Sequence, residues 1–329
     1  MGDDMVKITI VIPNYNGVKF LPDCLDSLKT DYQEASVPYE VLVVDNGSTD
    51  ESRALLRQQY PWVRTELLNS NTGFCHAVNV GIQRSHAPYV ILLNNDTKAY
   101  PGFVQALYDA IVDHNRCFSV SASMRMWDNE ELLDDAGDLY CALGWARSRG
   151  KGQLAGDYTL RCRVFSACAG AAIYRRKVFD RIGLFDERHF AYLEDLDIGY
   201  RAQIYGYYNL YEPKAVVVHY GSASTGSRYN KKKTELASAN SIYVIAKNMP
   251  PVQLVLNLPF LLLGFLIKTG FFFGKGMGIT YIKGLCNGFR RSLDPDGRAM
   301  RVPFRVNRLP QYILIQLQLW KNLFLLGKG

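Results

Sequence analysis

No two of the seven cysteines (24, 75, 117, 141, 162, 168 and 286) stand as a C-x-x-C pair, and their neighbours are mostly apolar. That excludes a zinc ribbon or a disulfide framework and predicts buried thiols in a reducing cytoplasm. The opening "MGDDMVKITIVIP" has acids where a secretory leader carries a basic stretch, so export by that route is not expected. A glycine-rich basic loop is missing after the first apolar strand; "PNYNGVKF" stands there, which argues against a nucleotidyltransferase. No internal repeat is visible. Acids are scarce late in the chain: from Thr225 onward there are 3 Asp and Glu against 16 Lys and Arg, whereas residues 1–224 carry 28 against 22. With 329 residues, 48% hydrophobic and 21% charged, the composition excludes disorder and allows one large α/β domain plus an appendage.

Strand and helix patterns alternate through the first hundred residues. "KITIVIP" (7–13), "YEVLVVDNGS" (39–48) and "YVILLNND" (89–96) read as buried strands. Between and after them lie the helical stretches "GVKFLPDCLDSLKTD", "TDESRALLRQQY" and "GFVQALYDAIVDHN". This order predicts βαβ units and a mostly parallel sheet, with ligands at the carboxyl ends of the strands. Residues 120–175 are less regular, and "LGWARSRGKGQLAGDY" reads as an extended loop or hairpin crossing over the site. "GAAIYRRKVFDRIGLFD" then gives strand into helix, "LEDLDIGYRAQIYGYY" a helix ending at Gly206, and "NLYEPKAVVVHYG" a strand. The expected division is a large α/β domain over 1–249 and a C-terminal helical region over 250–329.

Five polar clusters sit where these strands end. "PNYNG" exposes Tyr15 and Asn16 after Pro13, and "VVDNGSTD" places Asp45 at a strand tip and Asp50 at a helix start. A carboxylate such as Asp45 can accept a hydrogen bond from a base or a ribose hydroxyl; Asp50 serves equally well as a helix N-terminal carboxylate. In "LLNNDT", Asn94 and Asp96 are two apart, on one side of an extended chain, and offer oxygens to Mg²⁺ or Mn²⁺ shared with phosphate. A plain Asn-Asp turn is the competing reading of Asn94, Asn95 and Asp96. "FAYLEDLDIGYR" gathers Glu194, Asp195 and Asp197, any of which could act as general base if aimed into the cleft. Asp197 and Arg201 are i and i+4 and read as an ion pair. His219 closes "AVVVHYG" at a strand end.

In order, "VIPNYNG", "VVDNGSTD", "NTGF", "LLNNDT", "GAAIYRR", "IGLFDE.HFAYLEDLDIGYRA" and "VVVHYGSAS" resemble the family-two inverting glycosyltransferases of GT-A fold, in particular the rhamnosyltransferase-like branch. The resemblance covers roughly residues 5 to 250. It implies that Pro13, Tyr15, Asn16, Asp45 and Gly73, with Asn71, Asn79 and Asn95 nearby, line a pocket for a pyrimidine base and its ribose. Asp96 would be the last acid of a D-x-D-like metal motif, with His219 as second ligand for Mn²⁺ or Mg²⁺ and Asn94 standing where the family has its first acid. Asp195 would be the base and Glu194 its orienting neighbour, while Arg228 and Lys231 would close over the diphosphate. The lysine run 231–233 serves equally well as a membrane-facing patch. The implied donor is a nucleotide-diphosphosugar, dTDP-rhamnose first, with UDP-hexoses or UDP-galactofuranose as alternatives. A polyprenyl-diphosphate-linked glycan would be the acceptor, and a scaffold that kept the fold and lost turnover is the rival from another class.

The tail fits that setting. "VQLVLNLPFLLLGFLIKTGFFFG" (252–274) is long and apolar but interrupted by Pro259, Gly264 and Lys268. Basic residues recur through Lys275, Lys283, Arg290 and Arg291, and Trp320 sits in a final amphipathic stretch. Interleaved with apolar runs, these charges point to a membrane surface and not to nucleic acid. The expectation is peripheral attachment at the cytoplasmic face; a homo-oligomer interface is the other use for the same apolar faces.

Overall fold

The computed structural model describes residues 5–221 and 230–325. Its elements are β1 (Ile8–Asn14), α1 (Leu21–Glu34), β2 (Tyr39–Asn46), α2 (Ser52–Gln59), β3 (Arg64–Leu68), α3 (Phe74–Arg84), β4 (Tyr89–Leu93), β5 (Thr97–Ala99) and α4 (Phe103–Val112). There follow β6 (Cys117–Met126), β7 (Leu133–Asp135), β8 (Asp138–Tyr140), β9 (Ala146–Ser148), β10 (Cys162–Val164), β11 (Ala171–Arg175), α5 (Arg176–Ile182), α6 (Glu194–Ile204) and β12 (Tyr208–His219). The chain ends with α7 (Lys231–Asn248), α8 (Pro251–Gly274), α9 (Gly278–Leu293), α10 (Pro295–Ala299) and α11 (Leu309–Leu325).

The main sheet runs β10-β12-β6-β11-β4-β1-β2-β3, with β5 on β12 and β7 on β6. β1 is parallel to β2 and β4, β2 to β3, and β6 to β12. β11, however, lies antiparallel to both β4 and β6, so the mostly parallel sheet expected from the sequence is in fact mixed. The stretch from β6 to β11 is long enough for a crossover but holds only short strands, loops and one short helical turn, so it lacks the α-helix by which a parallel strand usually returns.

Alternation along β1 feeds two layers. Ile8, Ile10 and Ile12 pack with Leu21, Leu25 and Leu28 of α1 and with Phe103, Val104 and Leu107 of α4. Val11 faces the other side, where Val78 and Ile82 of α3, Val178 and Phe179 of α5 and Ile198 of α6 close the core. A third core joins Tyr140, Phe165, Leu196 and Tyr200 to Val244, Ile245, Leu261, Tyr312, Ile315 and Leu319. Residues on the two sides of position 249 therefore share one apolar cluster. Of the stretch 143–158, expected as an extended loop or hairpin over the site, residues 146–148 form β9, which pairs with the earlier β8; the turn between them docks on α8, where Trp145 Nε1 donates to the Gly264 carbonyl at 3.1 Å. The segment that reaches the strand tips is the one just before it, residues 133–138.

A buried charge network fixes α7 beneath α6. Asp197 accepts from Arg201 Nη2 at 2.8 Å, Lys247 Nζ at 2.9 Å and Asn248 Nδ2 at 2.8 Å. Lys247 also donates to Asp186 at 2.6 Å, and Tyr243 donates its hydroxyl to the same carboxylate. Burial disfavours the charged Asp197, but Arg201 and Lys247 outweigh it and hold the carboxyl far below the ordinary range. Lys247→Met leaves two buried carboxylates short of a cation. Urea unfolding should show it destabilised by about 3–5 kcal/mol.

Candidate active site

The tips of β1, β2 and β4 are tied together by one amide. Asn14 Nδ2 donates to Asp45 Oδ2 at 3.0 Å and to Ser48 Oγ at 3.2 Å, while its Oδ1 accepts from Asn95 Nδ2 at 2.7 Å. Asp45 is fully buried, and its Oδ1 accepts from the Ser48 amide and from Arg53 Nε at 2.6 Å. Pro13 is half-buried at the end of β1, and Tyr15 follows it 41% exposed. Asn16, in left-handed backbone (φ 51°), accepts from the Thr49 amide at 2.8 Å and so pins the two loops to each other. Asp50 accepts from the amides of Ser52 and Val18, the helix-start role.

Across the cleft, Asn71 Oδ1 accepts from the Gly73 amide. Gly73 has φ 91°, and a Cβ there would lie 2.7 Å from the Phe190 ring, so only glycine fits. Asn79 is turned away from the strand tips. It is buried, donates to the Phe185 carbonyl and Glu187 Oε1, and accepts from the Phe185 amide; it braces the 185–187 loop.

At the other end, Asp96 Oδ1 lies 3.3 Å from His219 Nε2. His219 Nδ1 in turn meets Asp134 Oδ2 at 2.7 Å, and Lys151 pairs with Asp134. Burial alone would lower the His219 pKa, but Asp134 and then Asp96 raise it to about 9. Asn94 does not share a side with Asp96, because the chain turns at Asn95–Asp96 instead of staying extended. The Asn94 amide faces Gly170, whose hypothetical Cβ would sit 3.0 Å from it. Among the described residues no three His, Cys, Asp or Glu side chains form a ready cation cage. The Asp96–His219 pair nevertheless fits two adjacent corners of an octahedral site, whose ligands at about 2.1 Å from a metal stand about 3 Å apart. Asp134 on Nδ1 leaves Nε2 facing Asp96, so that Nε2 would be the nitrogen to hold a metal.

The third group sits at the start of α6. Phe190, Tyr192 and Leu193 all have positive φ (61°, 72° and 64°), a strained run of non-glycine residues just ahead of Glu194 and Asp195. One side chain holds it: Asn240 Nδ2 on α7 donates to the carbonyls of His189, Ala191 and Tyr192 at 3.0, 2.9 and 2.8 Å. Arg291 of α9 fixes Asn240 in turn, donating to its Oδ1 at 2.6 Å. Asn240→Ala releases the turn, and we expect a tenfold or greater loss of kcat, about 1.4 kcal/mol or more in barrier, with donor affinity little changed. Steady-state kinetics beside donor titration checks this split.

Asp195 Oδ1 accepts from the Leu196 amide at 2.7 Å in the first turn of α6, where backbone N–H groups favour a carboxylate. Burial still raises its pKa. Glu194 rises to about 8, by burial first and then by the charge of Asp195, and its Oε2 finds no hydrogen-bond partner among the described residues. Burial thus raises both carboxyls, and the charge of Asp195 raises Glu194 further. Asp135 and Asp138 lie close by. Burial pushes Asp135 to about 7, and burial followed by Asp195's charge raises Asp138.

Lys231 is exposed in the first turn of α7, next to Lys232, whose ammonium lies 5.8 Å from the Phe190 ring. Arg228 lies outside the described residues. The structure thus brings Asp45, Asp96, His219 and Asp195 to the carboxyl edge of the sheet and turns Asn79 to bracing the 185–187 loop. Sequence reading missed Asn14, Asp134 and Asn240. Asn14 was signalled by its place at the strand tip; the other two meet the site only through folding.

Comparison with known proteins follows the same residues. The family model described as "Glycosyl transferase family 2" matches residues 9–183. An N-acetylglucosaminyl-diphospho-decaprenol L-rhamnosyltransferase of Mycobacterium tuberculosis is 30% identical over 214 residues, covering 57% of this chain and 69% of the relative. An undecaprenyl-phosphate 4-deoxy-4-formamido-L-arabinose transferase of Pectobacterium atrosepticum is 30% identical over 179 residues, 53% of each chain. Among solved structures, GalNAc-T7 with UDP, GalNAc and Mn²⁺ aligns with a TM-score of 0.58 at 15% identity, covering 75% of this chain and 48% of that one. The mannosyltransferase PcManGT from Pyrobaculum calidifontis, in complex with GDP-Man and Mn²⁺, aligns at 0.52 and 16% identity, covering 94% and 87%. At these identities the two structures speak for the fold.

Proposed function

The chain belongs to glycosyl transferase family 2, and from that premise we propose that it moves a sugar, with inversion, from a nucleotide-diphosphosugar to a polyprenyl-diphosphate-linked glycan at the membrane. The observation that carries the proposal is the placement of Asp195, an ionisable carboxylate in a helix first turn, on the same sheet edge as the Asp96–His219 pair. The rhamnosyltransferase relative, 69% covered, favours dTDP-rhamnose as donor and a prenyl-diphosphate sugar as acceptor.

The acceptor hydroxyl attacks the anomeric carbon from the face opposite the nucleotide. As the new C–O bond forms, Asp195 takes the hydroxyl proton, and the electron pair of the breaking glycosyl bond leaves on the diphosphate oxygen. Glu194 lies beside it, its carboxyl raised by burial and by the charge of Asp195. Asn240 holds the turn that aims both. Asp96 and His219 would hold Mn²⁺ or Mg²⁺, which when bound supplies Lewis-acid neutralisation of the leaving diphosphate. Asp134 keeps the His219 ring in register, and Lys231 adds positive charge at the rim.

The test is transfer across dTDP- and UDP-sugars with a prenyl-diphosphate acceptor, with Mn²⁺, with Mg²⁺ and with chelator. Turnover of dTDP-rhamnose, lost on chelation, is expected. Turnover of a UDP-sugar alone would reassign the donor, and donor binding without turnover of any sugar would favour the scaffold reading.

A further inference from the structure

Helix α8 is built inside out. Its buried positions are Gln253, Asn257, Leu261 and Gly264, one stripe that is mostly polar or small. Gln253 Oε1 accepts from the Tyr200 hydroxyl at 2.6 Å, and Asn257 exchanges two 2.8 Å hydrogen bonds with Gln316 of α11. Gly264 lets the Leu143 backbone approach so closely that a Cβ would fall 2.2 Å from its carbonyl oxygen. The outward face is apolar. Val255, Leu262 and Leu266 on α8, Ile279 on α9, and Leu314 and Phe324 on α11 are each 63–81% exposed. α11 also buries two polar residues, Gln316 and Asn322, beside its apolar Tyr312, Ile315 and Leu319, with Asn322 donating to the Tyr140 carbonyl. Polar and small groups inside with apolar groups outside is the pattern of helices solvated by lipid, and large exposed apolar faces mark interaction surfaces.

Length and composition would let α8 cross a bilayer. Its attachments decide otherwise. Contacts with the catalytic part run from Gln253 against Tyr200 to Lys268, whose ammonium lies 5.5 Å from the Trp145 ring, and at 1.5 Å per residue that is about 22 Å of helix. A crossing α8 would drag the β8–β9 hairpin and α6 through the hydrocarbon. Exposed cations, Lys275, Lys283, Arg290, Arg298, Arg301 and Arg305, accompany the apolar face and match anionic headgroups.

We infer that α8, α9 and α11 form one monotopic platform that lies in a single anionic leaflet, and that the chain does not span. The inference rests on the membrane setting proposed above and names how that setting is engaged. Through Arg291 the platform touches Asn240, so it is linked by hydrogen bonds to the turn that carries Glu194 and Asp195.

The experiment adds full-length protein to preformed vesicles of phosphatidylcholine and phosphatidylglycerol. In a Cys286→Ser background, a fluorescent nitrobenzoxadiazole is placed at Val252→Cys or Phe273→Cys, near the two ends of α8. External dithionite should bleach both positions. Protection of one end would overturn the inference in favour of a span. The double variant Leu262→Glu with Leu266→Glu should weaken vesicle partition by about tenfold per residue, with transfer to a water-soluble acceptor unchanged. Absence of partition by the unsubstituted protein, with a stable dimer in solution, would also overturn it. Transfer to the lipid acceptor in detergent is measured in parallel, so loss of the platform and loss of the transferase reading are told apart.

Discussion

Asp195→Asn should lower kcat by about 10²–10⁴-fold while donor affinity stays within about twofold. The asparagine keeps the volume and can still accept from the Leu196 amide, so the first turn of α6 should persist. What it cannot do is take a proton from the acceptor hydroxyl. Because burial raises the Asp195 pKa, the wild-type acid limb lies above the ordinary aspartate range. The sign follows from the role: the base must be ionised, so kcat falls as pH drops through that value. Residual turnover in the Asn variant should lack this limb. Single-turnover transfer, donor titration calorimetry and a kcat–pH profile together check the prediction; full activity in the variant would remove Asp195 as base.

Asp96→Ala should abolish metal-dependent turnover, and Asp134→Ala should weaken Mn²⁺ binding by about 10–100-fold. The second effect is the more diagnostic. Asp134 would not touch the ion; it holds His219 by Nδ1 at 2.7 Å and so leaves Nε2 facing Asp96. Mn²⁺ electron paramagnetic resonance with nucleoside diphosphate reads the affinity without turnover. Unchanged affinity in Asp134→Ala would mean that His219 needs no such support.

Strands β3 and β5, with the sequences RTELL and TKA, carry no apolar run, whereas β1, β2 and β4 could be read from the sequence because each is a largely apolar run. β6 was missed for the opposite reason. Ser119, Ser121 and Ser123 interrupt it, yet all three are buried in the middle of the sheet. The family motifs mark strand tips, so Asp45, Asp96, Asp195 and His219 were legible. Asp134 and Asn240 were not, since each acts on a residue that is 85 or about 50 positions away and neither stands in a motif. Asn94 misled because the i and i+2 rule holds only for extended chain, and the backbone turns there. Segregation of basic residues into the tail was visible in the sequence; the inward polar stripe of α8 emerged only with its partners Tyr200 and Gln316.

The central claim is a single displacement, and the anomeric configuration of the product tests it most directly. Proton and carbon NMR of the transferred sugar, with the donor of known anomeric configuration, should show inversion at the anomeric carbon. Retention would contradict the account, because it requires a second nucleophile on the face where Asp195 is proposed only to take a proton.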